Sequence, residues 1–167
     1  DLAGTVNFSQ LSLQIRDTPL TSVEPVIVRF NPREVTFENA KFAGGGSNMT
    51  IAGTAAISVA GTSNLSIDGR VNLSLLNIIP AIAQKDMFFS GIADVSMRLA
   101  GDYETARLSG TADIQNGLFA TFFGADRVTF DRLQGRVLFA SNQAQVDRMT
   151  GFLGGGQFVA SGGVLLN

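Results

Sequence analysis

The feature that most constrains this chain is an internal repeat. Residues 2–8 (LAGTVNF) are matched by residues 108–114 (LSGTADI), 106 positions later, and residues 42–46 (FAGGG) are matched by residues 152–156 (FLGGG), 110 positions later. Each copy runs from a glycine-containing strand pattern to a triple-glycine turn and then to another short strand pattern. A duplicated β unit is typical of elongated scaffolds, in which each unit packs against the next.

Apolar and polar residues alternate through most of the chain, and this predicts β-strands with one apolar face. In residues 26–30 (VIVRF), for example, the first, third and fifth side chains are apolar and share a face. The polar positions hold Ser, Thr, Asn, Asp and Arg, as in antiparallel sheets with one solvated side. Glycine-containing pairs at residues 68–69, 116–117 and 162–163 are turn signals between the predicted strands.

One stretch departs from period two. Between about residue 73 and residue 85 the aliphatic residues fall at helical spacing, as Leu75, Ile78 and Ile82 do. Pro80 lies inside the stretch, where it removes an amide donor and crowds the preceding turn. The sequence therefore predicts one short amphipathic helix, kinked near Pro80, that packs against an end of the sheet.

The composition argues against catalysis and against nucleic-acid binding. The chain has no cysteine and no histidine, which removes thiolate chemistry and the commonest general base and metal ligand. Its 12 basic residues are dispersed, so no basic run could follow a phosphate backbone. Asp126 and Asp131 are interpreted as solvated carboxylates, and the triple glycines lack the Lys-Ser/Thr of a phosphate loop. We therefore predict no enzyme, no cofactor and no metal site.

The composition is unusually hydrophobic. Hydrophobic residues make up 45% of the chain, and the aromatic residues are 13 Phe and one Tyr, with no Trp. Phenylalanine supplies a large apolar surface without a polar group that would need a hydrogen-bond partner. The composition therefore indicates an extensive apolar lining or core.

The order of motifs in the second copy resembles the repeated unit of the TamB family and, more loosely, of AsmA-like envelope proteins. It begins with residues 108–118 (LSGTADIQNGL) and continues with residues 130–139 (FDRLQGRVLF). It ends with a strand that runs from the glycines at 154–156 to Gly162. The single motifs are degenerate, and their order carries the resemblance.

The resemblance covers about residues 71–166 and implies a division of the chain. Residues 61–167 would be one full repeat unit, led by the short helix, and residues 1–60 would be the second half of a preceding unit. Together they would form one continuous segment of groove. The chain opens on Asp1 without a signal peptide or an apolar stretch of 18 residues, so we expect it to be part of a longer protein.

For the fold, the resemblance implies a mostly β protein whose antiparallel sheet is curled into an open, taco-like groove with one short helix. For the function, it implies a hydrophobic groove in the periplasm that conducts phospholipids between the inner and outer membranes, with a role in outer-membrane protein assembly. The full-length protein would be anchored in the inner membrane by a segment not present here. Its expected partners are phospholipid acyl chains and an outer-membrane barrel protein of the BamA type.

The groove would be lined by apolar residues at alternate strand positions. A different class of function stays open, because an elongated structural or adhesive β-fibre, with a dry core and no lipid cargo, has the same alternation and the same glycine turns. The residues predicted to line the groove are Val28, Phe30, Phe37, Ile51, Ile67, Val95, Met97, Leu99, Val128, Phe130, Val137 and Phe139.

Overall fold

The computed structural model describes residues 2–15, 18–78, 86–141 and 143–165, and these residues form one antiparallel β-sheet. Strands hold 78% of them. The strands are β1 (Gly4–Phe8), β2 (Ser12–Ile15), β3 (Thr18–Ser22), β4 (Val26–Phe30), β5 (Glu34–Gly44), β6 (Ser47–Ala56), β7 (Thr62–Asn72), β8 (Phe88–Asp102), β9 (Arg107–Phe123), β10 (Asp126–Ser141), β11 (Gln143–Leu153) and β12 (Gly156–Leu165).

The sheet is open, and its strands follow the order β1-β4-β5-β6-β7-β8-β9-β10-β11-β12. The β2–β3 hairpin lies off this path and joins the sheet through β3, which pairs with β5. From β4 onward each strand pairs with its sequence neighbour, so the sheet continues without a break past residue 60. The predicted fold class, a mostly β antiparallel sheet curled into an open groove with one short helix, is confirmed.

Three strands are longer than the sequence pattern predicts, because three expected turns lie inside them. Residues 68–69, 116–117 and 162–163 belong to β7, β9 and β12, so their assignment as turns is wrong. At Asn116, with φ 50°, β9 has one extra residue opposite β8. A β-bulge therefore accommodates the positive φ without ending the strand.

The predicted short helix is a 3₁₀ helix, Leu73–Ile78. Asn72 starts it, since its Oδ1 accepts a hydrogen bond of 2.9 Å from the backbone N–H of Ser74. The remainder of the predicted helix, including Pro80, lies in residues 79–85, outside the described residues. Leu73 is buried, and the helix packs against β8.

The internal repeat is present in the strand register. We call β1, β4, β5 and β6 the first copy, and β9, β10, β11 and β12 the second copy. Counterparts differ by 106 residue numbers in β1 and β9 and by 109 in the other strands, and both copies have a β-bulge at the same place before the last hairpin. Equivalent opposed pairs are Gly4–Phe30 and Gly110–Phe139, Val28–Phe37 and Val137–Val146, and Phe37–Gly53 and Val146–Gly162.

The register corrects the alignment of the triple glycines by one residue. The turn at Gly45 and Gly46 has φ values of 55° and 83°, and the turn at Gly154 and Gly155 has φ values of 57° and 85°. Equal conformations make these pairs equivalent, at 109 residues rather than 110. Two consecutive positive φ values are typical of the tight hairpin turn, which explains the paired glycines.

Few apolar side chains are fully buried, and the main cluster of them lies in the first copy. It consists of Val26, Ala40 and Phe42, which are at most 3% exposed. The half-buried side chains packed around it are Phe8, Leu11, Val28, Phe37, Met49 and Ile51.

Candidate functional site

The cross-strand register assigns the side chains of the sheet to two faces. Directly opposed residues in antiparallel strands project to the same side, so a run of opposed residues marks one face across several strands. One such run crosses from β6 to β10 through Ile51, Ile67, Met97, Gly110 and Phe139. We call the face that carries these residues the trough face, and the opposite one the polar face.

All twelve residues predicted to line a groove lie on the trough face. Two β-bulges keep them there, at Asn39 (φ 47°) in β5 and at Arg132 (φ 50°) in β10, because each adds one residue and restores the alternation beyond it. All twelve side chains are half-buried, neither sealed nor fully exposed. Their contact with lipid stays a prediction. The twelve predicted residues that the register places on the trough face are Val28, Phe30, Phe37, Ile51, Ile67, Val95, Met97, Leu99, Val128, Phe130, Val137 and Phe139.

Between β8 and β12 the trough face forms an open cavity of about 620 Å³. All five strands contribute to it, and apart from Ser161 the residues that line it are apolar or glycine. We call this cavity the apolar trough. Its largest side chains are Phe89, Phe119, Phe130, Leu133, Met149 and Phe158.

Four of these phenylalanines form a row that crosses the strands. The ring centroids of Phe89 and Phe119 are 5.0 Å apart, and those of Phe119 and Phe130 are 5.9 Å apart. The ring of Phe158 meets Phe130 edge to face, with 5.6 Å between centroids. The row therefore runs from β8 to β12 perpendicular to the strands, at the separations that aromatic pairs favour.

A glycine in β11 makes room for the last step of this row. Gly151 is opposed to Phe158, and a Cβ at Gly151 would lie 3.0 Å from that ring and 2.8 Å from Leu133. With no side chain at this position, Phe158 of β12 reaches Phe130 of β10 across β11. A larger residue at 151 would push the ring out of the row.

Sequence reasoning missed most of the residues that line the apolar trough. Of the twelve predicted positions, Phe130 is the one that lines it. Val146 and Met149 are three residues apart, and the β-bulge between them breaks period two, so the alternation rule fails there. Phe89 and Phe119 are apolar in sequence, but only their opposed register with each other brings them together.

At one end of the row, an asparagine side chain forms the backbone hydrogen bonds that a neighbouring strand would otherwise form. Asn77 is buried in the 3₁₀ helix, and its Nδ2 donates a 2.8 Å hydrogen bond to the carbonyl oxygen of Phe89. The backbone N–H of Phe89 donates another, also of 2.8 Å, to Asn77 Oδ1. The side-chain amide thus satisfies both backbone groups of Phe89 beyond the end of β7, and it holds the first ring of the row in place.

Charged side chains are concentrated on the polar face. Arg70 pairs with Asp94 between β7 and β8, and Arg136 pairs with Asp113 between β10 and β9. The hydrogen bonds from Arg136 to Asp113 raise the pKa of its guanidinium above the usual value. Among the described residues that have a cross-strand partner, Asp126 at the β9–β10 turn is the one charged residue on the trough face.

A second open depression among the described residues is of similar size, about 600 Å³, but charged side chains such as Asp94, Asp113 and Arg136 line it. The described residues contain no group of three or more acidic residues placed to hold a metal ion. None of the helices in this part of the chain is long and apolar enough to cross a membrane. The apolar trough is therefore the candidate site.

Protein-family models, curated protein sequences and solved structures were each compared with this chain, and none of them matches it.

Proposed function

We propose that the trough face binds the acyl chains of phospholipids and conducts them, as a segment of a TamB-like envelope protein. The observation that carries this proposal is the apolar trough itself, an open cavity on a face almost free of charge. Its volume of about 620 Å³ lies within the range of roughly 300–1,000 Å³ that is common for small-molecule sites. We assign no catalytic activity to it.

An apolar surface of this kind meets the energetic requirement of lipid transfer. Each CH₂ group that leaves a bilayer for water costs about 0.8 kcal/mol, so a chain of roughly 16 groups costs on the order of 13 kcal/mol. A continuous apolar surface offsets most of this cost without any specific contact. The Phe row supports such a path because it crosses the strands instead of following one of them.

The setting of this function follows from the family resemblance. We propose a periplasmic location, an inner-membrane anchor outside this sequence, and an outer-membrane barrel partner of the BamA type. A contribution to outer-membrane protein assembly would follow from that partner. The same resemblance divides the chain into residues 1–60 and 61–167, and this division stays a prediction.

Native mass spectrometry after expression in a diderm bacterium tests lipid binding directly. We expect phospholipid to co-purify with the chain, and we expect Leu133→Asp to abolish this because a hydrated carboxylate would stand in the apolar trough. Leu138→Asp is the matched control. Leu138 lies on the same strand but on the polar face, where it is 36% exposed.

Two results would contradict lipid binding. One is the absence of phospholipid from the parent protein in detergent-free preparations, which would favour the β-fibre. The other is equal loss of lipid in Leu133→Asp and Leu138→Asp, since lipid would then not distinguish the two faces. Circular dichroism of both variants checks that the sheet is intact.

A further inference from the structure

The edge of β12 that faces away from β11 has a counterpart in the first copy, and that counterpart is paired with another strand. By the shared register, β12 is the counterpart of β6, and Gly162 is the counterpart of Gly53. In the first copy β7 pairs with the far edge of β6, where Leu65 is opposed to Gly53. No described strand pairs with the far edge of β12.

The surroundings that would exclude a side chain differ between these two glycines. Gly53 has φ 106°, and a Cβ there would overlap the carbonyl oxygen of Asn64 in β7. Gly162 has φ 154°, yet nothing lies within 4 Å of the place where its Cβ would be. At Gly53 the neighbouring strand demands a glycine. At Gly162 the same residue and a positive φ are present without the strand.

β12 also lacks the features that protect exposed strand edges. Natural edge strands are short, or they contain charges, proline or bulges that prevent further pairing. β12 has ten residues (GQFVASGGVL) with no charge and no proline, and nine of the ten are exposed. The bulge in its ladder lies in β11. Its uncharged composition is shared with β6, an interior strand paired on both sides.

From these observations we propose that β12 binds an antiparallel polypeptide strand with the pattern of β7 along its free edge. In β7, aliphatic residues such as Leu65 and Ile67 lie on the trough face, and small polar residues such as Ser66 lie on the polar face. A strand of this kind would extend the trough face beyond β12. The site adjoins the proposed lipid contacts, because β12 also lines the apolar trough, but the backbone groups of its free edge would form the pairing.

The strand can be supplied as a synthetic peptide. A fluorescein-labelled peptide of residues 61–72 (GTSNLSIDGRVN) is titrated with the whole chain, and fluorescence anisotropy is measured. We expect saturable binding to the parent protein. Gly162→Ala should weaken it at least about tenfold, because the new Cβ would meet the backbone of the bound strand. Gly156→Ala should bind like the parent, since its counterpart in β6 is Ser47, which already has a side chain.

A second peptide keeps the test independent of the folding of any variant. The same peptide with Ser66→Pro should not bind, because Ser66 lies opposite Ala52 at a position of β7 whose backbone N–H faces β6, and the peptide would lose that donor toward β12. No binding of the original peptide at up to about 1 mM protein would overturn the proposal. Equal binding of both peptides would also overturn it, because pairing would then not be the cause. So would a dimer of the parent that forms through β12 without peptide, since a second copy would then be the occupant.

Discussion

In the first copy Ala40 is closed off from solvent, at 1% exposure, whereas its counterpart in the second copy, Met149, is half-buried and lines an open trough. The strands around them share one register, down to the position of the bulge. The ladder therefore does not decide whether the apolar face is a core or a cavity.

The difference lies in the residues that connect the first two strands of each copy. In the first copy Leu11, between β1 and β2, packs against the buried cluster. Ser22 of β3 holds it there: its N–H donates a 2.8 Å hydrogen bond to the Leu11 carbonyl oxygen, and its Oγ accepts one of 2.9 Å from the Leu11 N–H.

In the second copy the corresponding residues extend the sheet. They form the distal parts of β9 and β10, in which Phe119 is opposed to Phe130 and also to Phe89 of β8. These side chains widen the trough face and do not cover it. The comparison teaches that one register serves as a closed core or as an open surface, depending on a single connection.

We expect the largest difference between the two copies when one valine in each is replaced by aspartate. Val26→Asp buries a carboxylate at a position that is 0% exposed, and we expect a loss of about 4 kcal/mol or more, enough to unfold the first copy. Val137→Asp, on the half-buried trough face, should change the melting temperature by only a few degrees because the carboxylate stays hydrated. Thermal melts followed by circular dichroism measure both. Equal losses would mean that the second copy is sealed as well.

Two equivalent glycines should differ in their tolerance of alanine. Gly110 in β9 has φ 129°, and a Cβ there would overlap the carbonyl oxygen of Ser96 in β8. We expect Gly110→Ala to cost about 2–3 kcal/mol. Gly4 in the edge strand β1 has no such neighbour, and its Cβ would meet only the ring of Phe30, so Gly4→Ala should cost less than about 1 kcal/mol. Urea denaturation of the two variants gives the comparison, which fails if Gly4→Ala is the costlier change.

Truncation of the covering residue should open the first copy. Leu11 is half-buried, so we expect Leu11→Ala to cost about 1–2 kcal/mol, less than a fully buried leucine. Leu2→Ala is the control, because Leu2 is 78% exposed and should contribute nothing measurable. Urea unfolding of both variants measures the loss. An unchanged midpoint for Leu11→Ala would show that Leu11 does not close the cluster.

The smallest expected effect is an acid dependence confined to the first copy. Hydrogen bonds from the backbone N–H and hydroxyl of Thr62 hold the pKa of Glu34 below its usual 4.5. The folded state thus favours the carboxylate, and this stabilisation is present above about pH 4.5 and is lost as the pH falls through the lower folded value.

Replacing the carboxyl group isolates this contribution. Glu34→Gln should flatten the acid side of the melting-temperature profile slightly, and it introduces the residue that the second copy already has at the equivalent position, Gln143. Melting temperatures between pH 3 and pH 7 in about 0.15 M salt provide the measurement. An unchanged profile would show that the Thr62 contacts do not matter for stability.

Much of the fold was predictable because it depends on local alternation. Period two indicated the strands, and the same alternation placed all twelve predicted residues on one face, since the bulges at Asn39 and Arg132 compensate the breaks in the pattern. Strand ends were less predictable. A glycine pair such as residues 116–117 has the same composition whether it makes a turn or a bulge, and the neighbouring strand decides which.

The apolar trough itself was beyond the reach of the sequence. Its row of phenylalanines depends on which residues are opposed across strands, as Phe89 and Phe119 are, and on Gly151 leaving room for Phe158. Likewise, nothing in the sequence around Asn77 shows that its amide would bond both backbone groups of a residue twelve positions later.

The sequence by itself determined the strand-rich architecture, the repeat, and the separation of charged from apolar side chains, because these follow from the order of residues along each strand. Only the tertiary structure decided that one copy is closed by Leu11 while the other is open between β8 and β12. The physical reason is that burial depends on what covers a face. That covering comes from contacts between distant residues, which no local pattern encodes.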